Sequence, residues 1–353
     1  MPLTLRDNPL TLDDMSVIRS AGLRGFRHTV TGLGGDPEAY AAAAGLPVEA
    51  LDADDLLVPD LAVAEVLEIA ARDLDRPDLG LLIAGRQDLG MLGALALAIQ
   101  NSATLADALE CTSRYLFVHA RSLSLSLVPD PYSARGVVAL RYGLEAGDLA
   151  PVQGTDLGLG FLHRAIQSLV DERYGLRTVE LPYRPRAPLE VYEEFFGVPV
   201  RVARPAAMLR VPSGLAARSL TGGDPSIRRL ALAFLDQQAA ESGPNLAPKV
   251  RGAVQQSLGT APADITSVAR LLAMHPRTLQ RRLADEDTTF AILVDEVRRQ
   301  LARHYLTTTD MPFSQVAGLV GLSEQSALTR CCRRWFDSTP TGVRTEGLSD
   351  AFG

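Results

Sequence analysis

Apolar and polar positions follow two different rhythms along this chain. From Ile265 onwards the spacing is that of helices: Ile265, Val268, Ala269 and Leu272 fall at i, i+3, i+4 and i+7, which defines one buried helix face. The period breaks at Met274 and His275 and resumes at Pro276, a residue suited to the first position of a helix because its missing N–H has no intrahelical partner there. Leu279 and Leu283 then mark the buried side of a second helix and leave Arg277, Gln280 and Arg281 on the outer side. The same plan returns further on. Val268 and Ala269 recur as Val316 and Ala317 at an offset of 48, and Leu279 and Arg281 recur as Leu328 and Arg330 at an offset of 49. The second copy predicts a helix on Val316, Ala317 and Val320, an N-cap at Ser323, and a helix with Leu328 inward and Gln325, Ser326, Thr329 and Arg330 outward. Between the copies Phe290, Val294, Val297, Leu301 and Tyr305 predict one continuous helix over Thr289–Leu306, about 27 Å long at roughly 1.5 Å per residue. It would pack against both units as a rigid spacer.

The first two-thirds of the chain mixes periods. Thr31–Asp36 reads as a glycine-rich turn, Asp36–Ala44 as a short helix, and Asp60–Asp73 as an amphipathic helix. A helix-rich stretch follows, with capping-box spacing at Thr104 and Asp107. At Arg121 the period becomes two: Leu123, Leu125 and Leu127 alternate with Ser122, Ser124 and Ser126, predicting a strand with one buried face. Gly136–Tyr142 reads as its hairpin partner across a turn at Pro129–Ser133. A long helix over Val152–Glu172, strands at Arg177–Leu181 and Val198–Ala203, a helix at Leu189–Phe196 and a closing helix at Asp224–Ala240 complete an α+β reading. Gly243 and the prolines of Glu241–Pro248 mark the linker. The expected organisation is an N-terminal effector-sensing and dimerisation domain (1–240), a linker (241–248), an all-α domain (249–345) with two helix-turn-helix motifs joined by a long helix, and a tail (346–353).

Charge sharpens the division. The net charge of -7 belongs to the N-terminal part: residues 262–344 hold 11 arginines against 9 acids, a local excess of +2. His275–Ala284 carries three arginines and no acid, and local potential is what meets phosphate. The three cysteines show neither disulfide nor zinc spacing, the five histidines form no i, i+4 pair, and the N-terminus lacks a signal-peptide pattern. The apolar run Leu89–Ile99 is too short to span a bilayer. A cytoplasmic protein without metal or cofactor is expected. GTDLGLG (Gly154–Gly160) lacks the full dinucleotide fingerprint and reads as helix packing. With no nucleophile, base and oxyanion motif in view, the chain does not read as an enzyme.

Arginine and glutamine on an exposed helix face can read guanine and adenine edges in the major groove. The stretches HPRTLQRRL, VRRQLARHYL, QVAGLVGLSEQSALTR and RRWFDSTP, closing on Arg344, resemble the AraC family of transcription regulators over Ala263–Arg344. That resemblance implies base contacts from Arg277, Gln280 and Arg281 in the first recognition helix and from Ser326, Ala327 and Arg330 in the second. Arg282, Arg333 and Arg334 are the expected phosphate contacts. Three positions depart from the family pattern: Asp287 and Asp337 stand where glycine is common, and Leu322 where an aromatic is common. Aspartate tolerates positive φ better than most residues. LGLLIAGRQDLGMLGALALAIQNSATLADAL, RYLFVHA and FFGVPVRV resemble the arabinose-binding-type effector domain of the ornithine-regulator and VirS-like subfamily, over Gly22–Pro212. The resemblance implies a small-molecule sensor. Tyr115, His119, Arg141 and Tyr142 are candidates for its pocket, with surface or satisfied-core roles as the alternative. The partners expected are a double-stranded DNA operator, an unidentified small-molecule effector and a second copy of the chain as homodimer. Contact with RNA polymerase is compatible with this reading, and no membrane association is expected. A catalyst fused to a DNA anchor and a purely dimerising N-terminal domain are the competing readings.

Overall fold

The computed structural model describes residues 17–350 apart from 121, 145–150, 171–172, 242–245, 259–263, 273, 287 and 310. Readings that touched Arg121, Glu172, Gly243, Ala263 and Asp287 therefore lie outside the described residues. The N-terminal part is α+β. Its helices are α1 (Phe26–Gly32), α2 (Pro37–Ala43), α3 (Asp60–Asp73), α4 (Leu79–Ala84), α5 (Ala94–Gln100), α6 (Leu105–His119), α7 (Val152–Val170), α8 (Leu189–Phe196) and α9 (Pro225–Glu241). Strands β1 (Val17–Arg19) and β2 (Leu57–Pro59) pair antiparallel. A second sheet orders β3 (Leu123–Pro129), β4 (Val137–Leu144), β7 (Ala207–Pro212), β5 (Thr178–Glu180) and β6 (Val200–Arg201), antiparallel throughout except between β5 and β6.

The predicted hairpin is β3–β4. Its register sets Leu123, Leu125 and Leu127 opposite Leu144, Tyr142 and Leu140, so these six side chains share one face, with Ser126 and Arg141 on the other. The face that α6 and α7 cover buries Leu125, Leu140 and Leu209. Each fully buried leucine contributes about 1.5–3 kcal/mol relative to exposure. Leu127 departs from the expected buried face: it is 43% exposed, because β3 is the edge of the sheet. Strand β7 carries no period-2 alternation because five of its six residues are buried, as in a strand covered on both faces.

Helix α6 starts with the predicted capping box: Thr104 Oγ1 accepts from the Asp107 amide at 3.1 Å, and Asp107 Oδ2 accepts from the Thr104 amide at 3.0 Å. The glycines of GTDLGLG and its partner α4 permit close helix contact. A Cβ at Gly80 would lie 2.3 Å from the Gln153 carbonyl oxygen, and one at Gly160 would lie 2.7 Å from Ala84 Cβ. Asp156, between those glycines, ties α7 to α8. It accepts from the Tyr183 and Tyr192 hydroxyls at 2.7 and 2.5 Å, and burial pushes its carboxyl up to about 7 despite these donors.

The C-terminal part is helical: α10 (Leu246–Ser257), α11 (Ile265–Leu271), α12 (Pro276–Ala284), α13 (Phe290–Thr308), α14 (Phe313–Leu319), α15 (Gln325–Phe336) and α16 (Pro340–Asp350). Helix α9 runs through Glu241 and α10 begins at Leu246, inside the segment read as linker. Pro248 falls in the first turn of α10, where its missing N–H leaves no bond unmade. Helix α16 likewise continues to Asp350, into the stretch read as tail. One core unites these helices around α13, whose Leu293, Val297, Ala302, Tyr305 and Leu306 are all at most 2% exposed.

Candidate nucleic-acid interface and effector cavity

The two C-terminal units share their turn geometry as well as their sequence. In the first, the Met274 amide donates to the Ala269 carbonyl; in the second, the Leu322 amide donates to the Ala317 carbonyl, both at 2.8 Å. The equivalence holds at an offset of 48 through Leu322. The second helix of the first unit, α12, is capped by His275, whose Nδ1 accepts from the Arg277 amide at 3.3 Å. In the second the cap is Glu324, not the predicted Ser323. Ser323 is instead the extra residue of the longer turn, which accounts for the change of offset to 49. Gly321 takes φ +68° in that turn, and Asp337 closes α15 at φ +53°, the left-handed position where glycine was expected.

Leu279, Leu283 and Leu328 are fully buried, while Arg277, Gln280, Arg281 and Arg282 on α12 and Ser326, Arg330, Arg333 and Arg334 on α15 are exposed. Ala327 is half-buried. No ion pair among the described residues engages Arg277, Arg281, Arg282 or Arg333. Arg330 lies 3.3 Å from Ser326 Oγ and 3.8 Å from Glu324. Arg334 is paired with Asp295 of α13, whose other oxygen accepts from Trp335 Nε1 at 2.9 Å. Helix α13 holds the second turn directly: Arg298 donates to the Val320 and Gly321 carbonyls at 3.2 and 3.0 Å. Arg344 closes the unit by donating to the Met311 carbonyl at 2.6 Å while its guanidinium lies over the Phe313 ring. At 19 residues, α13 is roughly 28 Å long.

The N-terminal part contains a cavity of about 110 Å³ between α3, α6, α7 and the β3–β4 hairpin. Leu123, Leu125, Tyr142, Leu157 and Phe161 form much of its wall. Gly158 leaves room for Tyr142, since a Cβ there would lie 2.1 Å from the phenol oxygen. Of the four candidate effector residues, His119 and Tyr142 line this cavity and the other two do not. Tyr115 is a satisfied core residue whose hydroxyl donates to Asp236 of α9 at 2.7 Å. Arg141 points to the opposite face of the sheet, where its guanidinium lies 5.5 Å from the centre of the Tyr305 ring on α13. Strand β4 thus lines the cavity with Tyr142 and Leu144 and touches the helical part with Arg141.

Comparison with known proteins places this geometry. The arabinose-binding N-terminal domain of AraC transcription regulators matches residues 34–220, more than half of the chain, and a helix-turn-helix domain matches residues 268–346. The HTH-type transcriptional regulator VirS of Mycobacterium tuberculosis is 35% identical, over 94% of this chain and 97% of its own length. The chain is an AraC-family transcription regulator. The ornithine utilization regulator of Pseudomonas aeruginosa is 30% identical over 76% of this chain and 78% of its own length. The crystal structure of transcriptional regulator CdpR from Pseudomonas aeruginosa aligns with a TM-score of 0.44 at 20% identity, covering 88% of this chain and 96% of that one.

Sequence reasoning missed Asp60 and Gln87, which this regulator places in the cavity wall. Asp60 opens α3 directly after β2, and Gln87 is a lone amide following the apolar run Leu79–Ala84. A polar residue at such a junction is the signal that was present. Among the described residues, no helix is long and apolar enough to cross a membrane.

Proposed function

We propose that the regulator binds one specific double-stranded operator through α12 and α15, and that a small molecule in the N-terminal cavity shifts how α13 presents them. The observation that carries the DNA reading is the repeated turn, with the same amide-to-carbonyl bond in each copy and an exposed basic helix after it. Arg277, Gln280 and Arg281, then Ser326, Ala327 and Arg330, are the base readers. Ala327 offers only a methyl, suited to apolar contact with thymine. Arg282 and Arg333 meet phosphate, whereas Arg334 must first exchange Asp295 for it.

The sensing reading rests on β4, which joins cavity to spacer through Tyr142 and Arg141. A ligand acts there only by binding one arrangement better than the other. The units are 1–240 and 249–345, with 241–248 spanning the change from α9 to α10. A homodimer is supported by α9, whose exposed Ile227, Leu230 and Phe234 fall at i, i+3 and i+7. The protein works in the cytoplasm without catalysis, in reach of RNA polymerase at a promoter. Selection of bound genomic fragments, followed by competition against random DNA, tests the reading. Enrichment of one sequence class supports it, and equal retention of all fragments defeats it.

A further inference from the structure

The cavity wall is mostly apolar; besides the hydroxyls of Thr112 and Tyr142, its polar side chains are Asp60, Gln87 and His119. Asp60, Gln87 and His119 all gather around β1 and the turn after it: Pro59, just before Asp60, pairs with Val17; Ala120, just after His119, bridges Ile18; and Gln87 bonds the carbonyl of Gly22. All three line the cavity. Gln87 is 1% and His119 3% exposed. Among the described residues, Gln87 Oε1, Asp60 Oδ2 and both ring nitrogens of His119 are buried without a hydrogen-bond partner. Natural interiors satisfy such atoms, so orphaned atoms on three residues that line one cavity call for a partner from outside the chain.

The sign of the missing partner follows from what is already used. Gln87 Nε2 donates to the Gly22 and Arg24 carbonyls, both at 3.0 Å, which fixes the amide orientation and leaves its oxygen as a free acceptor. Asp60 Oδ1 accepts from the Leu61 amide at 2.7 Å, leaving Oδ2 as a second free acceptor. Burial lowers His119 to about 4, so its ring is neutral and offers one donor and one acceptor. These three residues therefore present three acceptors and one donor, and no lysine or arginine lines the cavity. A carboxylate placed there would meet acceptors and the Asp60 side chain, with no cation in the wall to pair with it; Arg19 acts on His119 only through its field. A sugar would bury several hydroxyls against a wall with few polar partners.

We propose that this cavity binds a small apolar molecule carrying a hydrogen-donating head, a hydroxyl or an amine, with Gln87 Oε1, Asp60 Oδ2 and His119 as the partners of that head. The apolar body lies against Leu125, Leu157 and Phe161. A cavity of about 110 Å³ suits a body near the size of one aromatic ring. This rests on the reading of the N-terminal part as a ligand-responsive unit.

The test uses the full chain, calorimetry and five probes: benzyl alcohol, benzylamine, toluene, benzoate and arabinose. Benzyl alcohol or benzylamine is expected to bind about tenfold or more tightly than toluene and benzoate, with arabinose silent. His119→Phe and Asp60→Asn are each expected to shrink that advantage severalfold; unchanged toluene binding in Asp60→Asn, and a cooperative urea transition in His119→Phe, show that the variants are folded. Benzoate or arabinose binding as tightly as the alcohol overturns the proposal. So does an absence of binding by both donor-headed probes, or an advantage that both variants retain. Operator affinity is measured with and without the best probe. If that probe binds as expected and operator affinity does not move, the ligand class stands and the sensing reading fails.

Discussion

Replacing His119 by phenylalanine is expected to stabilise the regulator. The imidazole is 3% exposed and neither nitrogen has a partner among the described residues, so folding strips it of water with nothing in return. A buried unsatisfied polar group costs about 1–3 kcal/mol. Phenylalanine removes that cost, and the adjoining cavity accepts its larger ring, which limits overpacking. A gain of about 1–2 kcal/mol at pH 7 follows, or roughly 2–4 °C in Tm for each kcal/mol. The same residue governs acid sensitivity. Burial holds its folded pKa at about 4, below the ordinary histidine value of 6.5, so above pH 6.5 both states are neutral and contribute no difference. Below that the unfolded chain takes up a proton which the folded chain refuses until about pH 4, so stability falls as pH falls through this window. The loss between pH 7 and pH 5 is about 2 kcal/mol from His119. His163, also lowered to about 4 by burial, adds a loss of the same sign. Asp156, pushed up to about 7 by burial, takes up a proton in the folded chain over the same window and contributes a gain of the opposite sign. Urea unfolding at both pH values measures the net change, and His119→Phe is expected to make it more favourable than in the parent by about 2 kcal/mol. A variant less stable than the parent at pH 7, or one with the same net change on acidification, refutes the reasoning.

Three further outcomes are expected. Arg281→Ala weakens operator binding by about 1–3 kcal/mol and relaxes one base position; equal weakening on every sequence in a binding-site selection would make it a phosphate contact. Arg141→Leu removes the contact over the Tyr305 ring, worth about 0.5–2 kcal/mol, and is expected to leave ligand affinity intact while reducing the effect of ligand on operator affinity; an unchanged effect would remove β4 from the coupling. Leu230→Glu, in the exposed stripe of α9, is expected to give monomers in sedimentation velocity, whereas an unaltered dimer would place the interface elsewhere.

The helical C-terminal part was legible because each helix buries one face and exposes another, so Val268, Leu279, Val316 and Leu328 declare their positions by spacing alone. The repetition located the exposed arginines as well. Strand β7 was illegible for the opposite reason: burial on both sides removes the alternation that reveals a strand. Strands β1 and β2 are three residues each, too short to establish a period. The cavity was half legible. His119 and Tyr142 stood out as polar groups beside strands, but Asp60 and Gln87 reach the same wall from α3 and from the loop after α4, and only tertiary packing brings these segments together. Arg141 was singled out with Tyr142, yet strand alternation sends it to the other face, where it meets α13 instead.

Hydroxyl-radical footprinting on a selected operator tests the double reading of DNA most directly. With α12 and α15 held apart by α13, each protomer is expected to protect two windows on one face of the duplex, separated by about one helical turn of 10–10.5 base pairs. Arg281→Ala should weaken the first window and Arg330→Ala the second. A single window per protomer, or protection that random competitor DNA abolishes as readily as operator DNA, would contradict it.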